Sequence, residues 1–184
     1  MFETAASHLQ TLQTKLTPHA KLAIAGSGGM DSVALLHFLQ AQVPAQQLVV
    51  AHLNHGLRET AVSHANFTQT LAASYQLPYR EKTADVAQHA QQTKQSIEAA
   101  GRELRYQFLA EVAKQVGATA VLTAHHADDQ AETILLHLLR GSGLNGLRGM
   151  LPVSTLHNAP RLWHGRPFLS LSKADIAAYC QQNH

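Results

Sequence analysis

Charge and sulfur are both scarce in this 184-residue chain. Asp, Glu, Lys and Arg together make up 14% of it, so Gln, His, Ser, Thr and Asn must supply much of the polar surface. The single cysteine, Cys180, excludes an internal disulfide framework and a cysteine-only metal or iron–sulfur site. No apolar run reaches the roughly 18 residues that a membrane span requires. The opening Met1-Phe2-Glu3-Thr4 lacks the basic start and apolar stretch of a signal peptide. These absences predict a soluble, cytoplasmic protein with no membrane partner. A net charge of +2 without a Lys/Arg block permits nucleic-acid binding but does not argue for it. The thirteen histidines are scattered from His8 to His184, which argues against a single metal cluster. What is present is a hydrophobic content of 45%, enough for one globular core at this length.

Short β-like runs alternate with longer helical ones. Lys21–Ala25, Leu48–Leu53 and Ala120–Ala124 are apolar, short and bounded by turn residues, as strands buried on both faces are. Tyr79–Thr83 is a weaker fourth strand. The helices expected between and after them are Asp31–Gln40, Ser63–Tyr75, Ser96–Val116 and Ala127–Arg140, with Gly117 and Gly141 ending the last two. Leu35, Leu36, Phe38 and Leu39 are expected in the core. Ala84–Gln95 and Ser154–Arg166 read as loops, and Ser172 with Asp175 reads as a capping box opening a final helix. The alternation predicts an α/β fold: a doubly wound, mainly parallel sheet with helices on both faces and ligands at the strand carboxyl ends.

The first strand runs into Gly26-Ser27-Gly28-Gly29-Met30-Asp31-Ser32 and then a helix. Glycines allow a sharp turn, and backbone N–H groups at a helix start suit an anion such as phosphate. Ser27 and Ser32 add hydroxyls. The pattern is neither a dinucleotide fingerprint nor a Walker A loop, which needs Gly-Lys-Ser/Thr. A tight βα turn without a ligand is the plain alternative. Asp31, however, would repel phosphate unless a cation stood between them, which points to Mg²⁺. Ser27 to Ser32 resembles the PP-loop of the N-type ATP pyrophosphatases, a family that cleaves ATP between the α and β phosphates. That motif alone leaves tRNA thiolation, nucleotide amidation and NAD synthesis open.

Two further polar clusters follow strand ends. One is His52-Leu53-Asn54-His55-Gly56-Leu57-Arg58 and the other runs from His125 to Thr133. On a helix, Asp129 and Glu132 share a face, as do Asp128 and Glu132. Carboxylates at a helix start also favour the macrodipole, which is the structural alternative for them. His126, Asp129 and Glu132 superficially resemble a transition-metal site, but Asp31 and Asp129 beside phosphates suit Mg²⁺ better. Arg102 and Arg105 lie three apart on one helix face, where a solvated surface role is the alternative.

Together these clusters resemble bacterial tRNA(Ile)-lysidine synthetase. The resemblance is carried by the loop, by His52–Arg58, and by Glu98-Ala99-Ala100-Gly101-Arg102-Glu103-Leu104-Arg105-Tyr106. It continues through His125–Thr133, Leu138–Gly143 with Gly146-Leu147, and Arg166-Pro167-Phe168-Leu169. Gly101 departs from the pattern, standing where a better helix former is commoner.

The resemblance implies ATP-dependent ligation of free L-lysine to C2 of the wobble cytidine in an isoleucine tRNA. AMP and pyrophosphate would be released. It implies ATP and Mg²⁺ held by Ser27, Gly28, Gly29, Met30, Asp31 and Ser32, with His55 and Arg58 positioning nucleotide or cytidine. Asp31 and Asp129 would be the metal ligands, and Asp31, Asp129, Glu132 and Arg105 the catalytic set. It further implies that residues 1–184 form a single PP-loop catalytic domain, the N-terminal part of a longer protein whose tRNA-binding C-terminal domains are absent. Oligomeric state stays open, a homodimer being one option. A tRNA cytidine thiolase and a non-catalytic ATP-binding module are the rival readings.

Overall fold

The computed structural model describes residues 2–55, 60–141 and 147–183. Six strands form one sheet: β1 (Lys21–Ala25), β2 (Leu48–Asn54), β3 (Tyr79–Thr83), β4 (Ala118–Leu122), β5 (Val153–Leu156) and β6 (Ala159–Gly165). Their order is β3-β2-β1-β4-β6-β5, parallel throughout except for the antiparallel edge strand β5. Strand order reverses direction at β1, so the β1/β4 boundary is the switch point where such sheets open a ligand crevice.

The alternation of side chains along each central strand feeds two cores. Leu22, Ile24, Leu48, Val50, Ala120 and Leu122 point to one face. There they meet α1 (Glu3–Gln13) through Leu9 and Leu12, α2 (Met30–Gln42) through Leu35 and Leu39, and α7 (Lys173–Asn183) through Ile176. Ala23, Val49, Ala51 and Val121 point the other way, onto Phe108, Leu109 and Val112 of α5 (Ile97–Val116). Burial on both faces explains why these strands read as continuous apolar runs. The remaining helices are α3 (Thr60–Ser74), α4 (Val86–Thr93) and α6 (Ala127–Leu139). Among the described residues, no helix is long and apolar enough to cross a membrane.

The expected α/β architecture and all four strands are present, and Leu35, Leu36, Phe38 and Leu39 are buried. Ser96 caps α5 by accepting from the Ala99 N–H. Ser172 and Asp175 form the expected reciprocal cap.

Two expected loops are corrected. Ala84–Gln95 contains α4, capped by Asp85, because Val86 and Ala90 stand four apart and pack against Ala100. Its polar composition reflects only the solvated face. Ser154–Arg166 belongs to the β5–β6 hairpin, whose alternation is weak because β5 buries only Leu156; β6 nevertheless pairs with β4 through Trp163, His164 and Gly165.

Candidate active site

A cleft of about 970 Å³ opens where the carboxyl ends of β1, β2 and β4 meet. Gly26, Ser27, Asp31 and Ser32 line one side, Arg102 and Arg105 of α5 another, and Asp129 and Glu132 of α6 a third. His55 and His125 also face it. Residues more than a hundred positions apart in sequence, such as Gly26 and Glu132, therefore share one site. Arg58 lies outside the described residues, as do Gly56, Leu57, Ser142, Gly143 and Gly146 of the flanking motifs.

The phosphate-type loop is internally braced. Ser32 Oγ donates to the Gly29 carbonyl at 2.8 Å and accepts from the Ser27 N–H and the Ser27 hydroxyl. Ser27 Oγ in turn accepts from the Gly29 N–H at 3.3 Å. Both serine hydroxyls thus hold the shape of the loop. Gly28 sits at φ +78°, and a Cβ there would meet His64 at 2.9 Å, so conformation and space both require glycine. Met30 opens α2 and is exposed; Gly28, Gly29 and Met30 shape the loop without lining the cleft. Beneath the loop, buried His52 donates from Nδ1 to the Gly26 carbonyl at 2.7 Å. That anchor is one the sequence motif contained without disclosing its role.

Carboxylates converge on a buried imidazole. His126 Nε2 lies 3.8 Å from Asp31 Oδ2 and 3.5 Å from Asp129 Oδ2, while its Nδ1 lies 3.4 Å from Asp128. The first strand's loop and the N-terminus of α6 are thereby tied together. Asp31 Oδ1 is buried without a hydrogen-bond partner, an arrangement that is costly for a carboxylate unless a cation fills it. Asp31 and Asp129, both lining the cleft, fit magnesium, which takes one or two carboxylates and completes its shell with phosphate oxygens and water. Asp128 is different. Its Oδ2 accepts from the Lys173 N–H at 3.0 Å and fastens the start of α7. Glu132 is exposed at the cleft, one helical turn from Asp129.

The opposite wall is cationic. Arg105 Nη2 lies 3.3 Å from His55 Nε2. Although Arg105 reaches solvent, crowding by the cleft walls lowers its pKa, with Tyr106 opposing that shift and Arg102 adding to it. Burial lowers the His55 pKa as well, helped by Arg105 and His52. Arg102 lies over the Tyr106 ring, 5.1 Å from its centroid. Gly101 is explained here: an added Cβ would stand 3.3 Å from His55 Nδ1, so the missing side chain makes room for the imidazole. Arg140 also lines the cleft, as does Met150, which the Gln130 side-chain amide clamps through both its N–H and C=O. Arg140 and Gln130 each lie inside a sequence motif, but only these contacts across the fold give them a role.

A braced anion loop, two carboxylates lining one cleft and arginines in its facing wall define an α/β domain suited to phosphate. The chain belongs to the PP-loop domain family, whose sequence profile matches residues 1–184. It is 42% identical to a tRNA(Ile)-lysidine synthase of Geobacter sulfurreducens over 88% of this chain and 34% of that protein. It is 41% identical to the bifunctional protein TilS/HprT of Listeria monocytogenes, over 89% of this chain and 25% of that one. The chain therefore spans about a quarter to a third of the length of these relatives. Among solved structures, the U34-tRNA thiolase NcsA of Methanococcus maripaludis superposes with a TM-score of 0.78 at 17% identity, covering 98% of this chain and 63% of that one. The NH3-dependent NAD synthetase of Campylobacter jejuni gives 0.65 at 14%, covering 98% and 72%. These two likenesses are of fold alone.

Proposed function

We propose that this domain carries the chemistry of a tRNA(Ile)-lysidine synthase. Asp31 and Asp129 approach the same Nε2 atom of buried His126 and both line the cleft that the phosphate loop also lines, and that convergence carries the reading. The identity of about 40% to lysidine synthases points to the same substrates: ATP, free L-lysine and an isoleucine tRNA with a cytidine wobble base. The setting would be cytoplasmic.

The Gly26–Ser32 loop would hold the ATP phosphates by backbone N–H groups at the start of α2. Mg²⁺ held by Asp31 and Asp129 would neutralise charge on the leaving pyrophosphate. The C2 carbonyl oxygen of cytidine would attack the α-phosphate, breaking the bond to the β-phosphate and releasing pyrophosphate. The lysine ε-amine would then attack C2 and expel AMP with that oxygen. Glu132, exposed and one turn from Asp129, would attract the ammonium and take its proton. Arg105 and His55 would orient nucleotide or cytidine, and Arg58 is assigned the same duty.

The tRNA itself would be gripped mainly outside residues 1–184, since this chain carries only 14 Lys and Arg residues and no concentrated basic block. A thiolase reading is disfavoured by the single cysteine of the chain. Incubation with ATP, lysine and tRNA, followed by separation of the nucleotide products, tests the reading: AMP and pyrophosphate support it, and ADP contradicts it.

A further inference from the structure

Behind the cleft, four side chains form a chain of hydrogen bonds whose direction is set at one end. Arg166 Nη2 lies 2.9 Å from Nδ1 of buried His164. A guanidinium only donates, so this Nδ1 accepts, and the ring proton of His164 sits on Nε2. That Nε2 lies 2.8 Å from Thr123 Oγ1 and donates to it. Thr123 Oγ1 lies 2.7 Å from Nδ1 of His125. The hydroxyl, already accepting from His164, satisfies both groups by donating its own hydrogen to that Nδ1. A neutral His125 must then carry its proton on Nε2.

We propose that Arg166, His164 and Thr123 are positioning residues that lock His125 as a neutral imidazole with its Nε2–H offered to the cleft, where it donates to an acceptor oxygen of a bound substrate. The proposal rests on reading the cleft as a nucleotide site. The relay is itself anchored, because Arg166 Nη1 donates to the Leu151 carbonyl at 2.8 Å and to Ser154 Oγ at 3.1 Å. The β5–β6 hairpin is thereby coupled to the reacting groups, giving the Arg166-Pro167 motif a task.

The surroundings keep the ring neutral. Burial pulls His125 down to about 4, with Arg166, Arg102 and Arg105 reinforcing the shift and Asp129 opposing it. Burial and Arg166 pull His164 to about 2. A neutral donor can bind oxygen without surrendering a proton to it. The acceptor is either a phosphate oxygen of ATP or the cytosine carbonyl, which share this chemistry.

Long-range ¹H–¹⁵N spectra of the histidine rings test the proposal on this 184-residue chain. His125 should show one Nε2–H tautomer, unchanged between about pH 5 and 8. An Nδ1–H tautomer, or titration within that range, would overturn the relay. The Thr123→Val variant should show mixed tautomers and a roughly tenfold to hundredfold fall in AMP formation, with the KM for ATP little changed. Thr123→Ser should restore both. Equal AMP formation by Thr123→Val and the unmodified chain would overturn the positioning role.

Adding Mg-ATP or cytidine 5′-monophosphate identifies the acceptor. A shift of the His125 Nε2–H with ATP assigns the phosphate, and a shift with the monophosphate alone assigns the base. No shift with either would overturn the donor role. AMP formation without lysidine would end the ligation reading while leaving the relay supported by its spectrum and ATP response.

Discussion

Asp129 Oδ2 accepts the backbone N–H of His126 at 2.9 Å, so one carboxylate both caps α6 and faces the cleft. The structural and chemical duties of Asp129 can be separated by Asp129→Asn. An amide oxygen can keep the cap, so stability should change by less than about 1 kcal/mol. Loss of the negative charge should cost about a hundredfold or more in turnover while ATP binding persists. Paired melting curves and AMP assays check this. Near-normal turnover would remove Asp129 from the catalytic set.

Gly101→Ala places opposing effects on one residue. Alanine favours the interior of α5 by about 1 kcal/mol. Its Cβ, however, would crowd His55 at 3.3 Å from Nδ1 and 3.4 Å from Cε1. The stability gain should fall short of the helix-propensity value, and AMP formation should decline as His55 shifts against Arg105. Thermal melts and nucleotide assays would detect a full gain with unchanged activity, the opposite result.

Stability should fall on mild acidification. The folded-state pKa is lowered to about 4 for His125 and about 2 for His164. The unfolded chain therefore binds protons near its ordinary histidine pKa of about 6.5, whereas the folded chain does not. The stabilisation is complete above that pH and is lost as pH falls through it toward the folded values. Urea midpoints at about pH 7 and about pH 5 should show the drop. A flat or rising midpoint would contradict the buried neutral pair.

Binding of tRNA by residues 1–184 should be weak and weaken further with salt, because few cations are available to neutralise phosphates. A filter-binding titration at near-physiological salt would measure it. Tight, selective binding of isoleucine tRNA would mean that these residues suffice for recognition.

The parallel core was legible because its strands, buried on both faces, are apolar runs too short for a helix and are bounded by turn residues. Ala84–Gln95 and Ser154–Arg166 were not, because the first buries only Val86 and Ala90 and the second joins the edge strand β5 to β6, whose first three residues are not buried. The loop, Asp31, Asp129 and Arg105 could be picked out because each lies in a spaced motif. The bracing role of Ser27 and Ser32 depends on the folded shape of the loop itself, and the His52 anchor and the His125 relay depend on contacts between neighbouring strands. His164 and Thr123 lie 41 positions apart, and no local pattern pairs them.

Nucleoside mass analysis of tRNA incubated with the protein, ATP and lysine tests the central claim most directly. The wobble cytidine of isoleucine tRNA should gain one lysine less one water, with AMP and pyrophosphate appearing in step. An unchanged cytidine despite AMP release, or a cytidine that exchanges oxygen for sulfur, would contradict it.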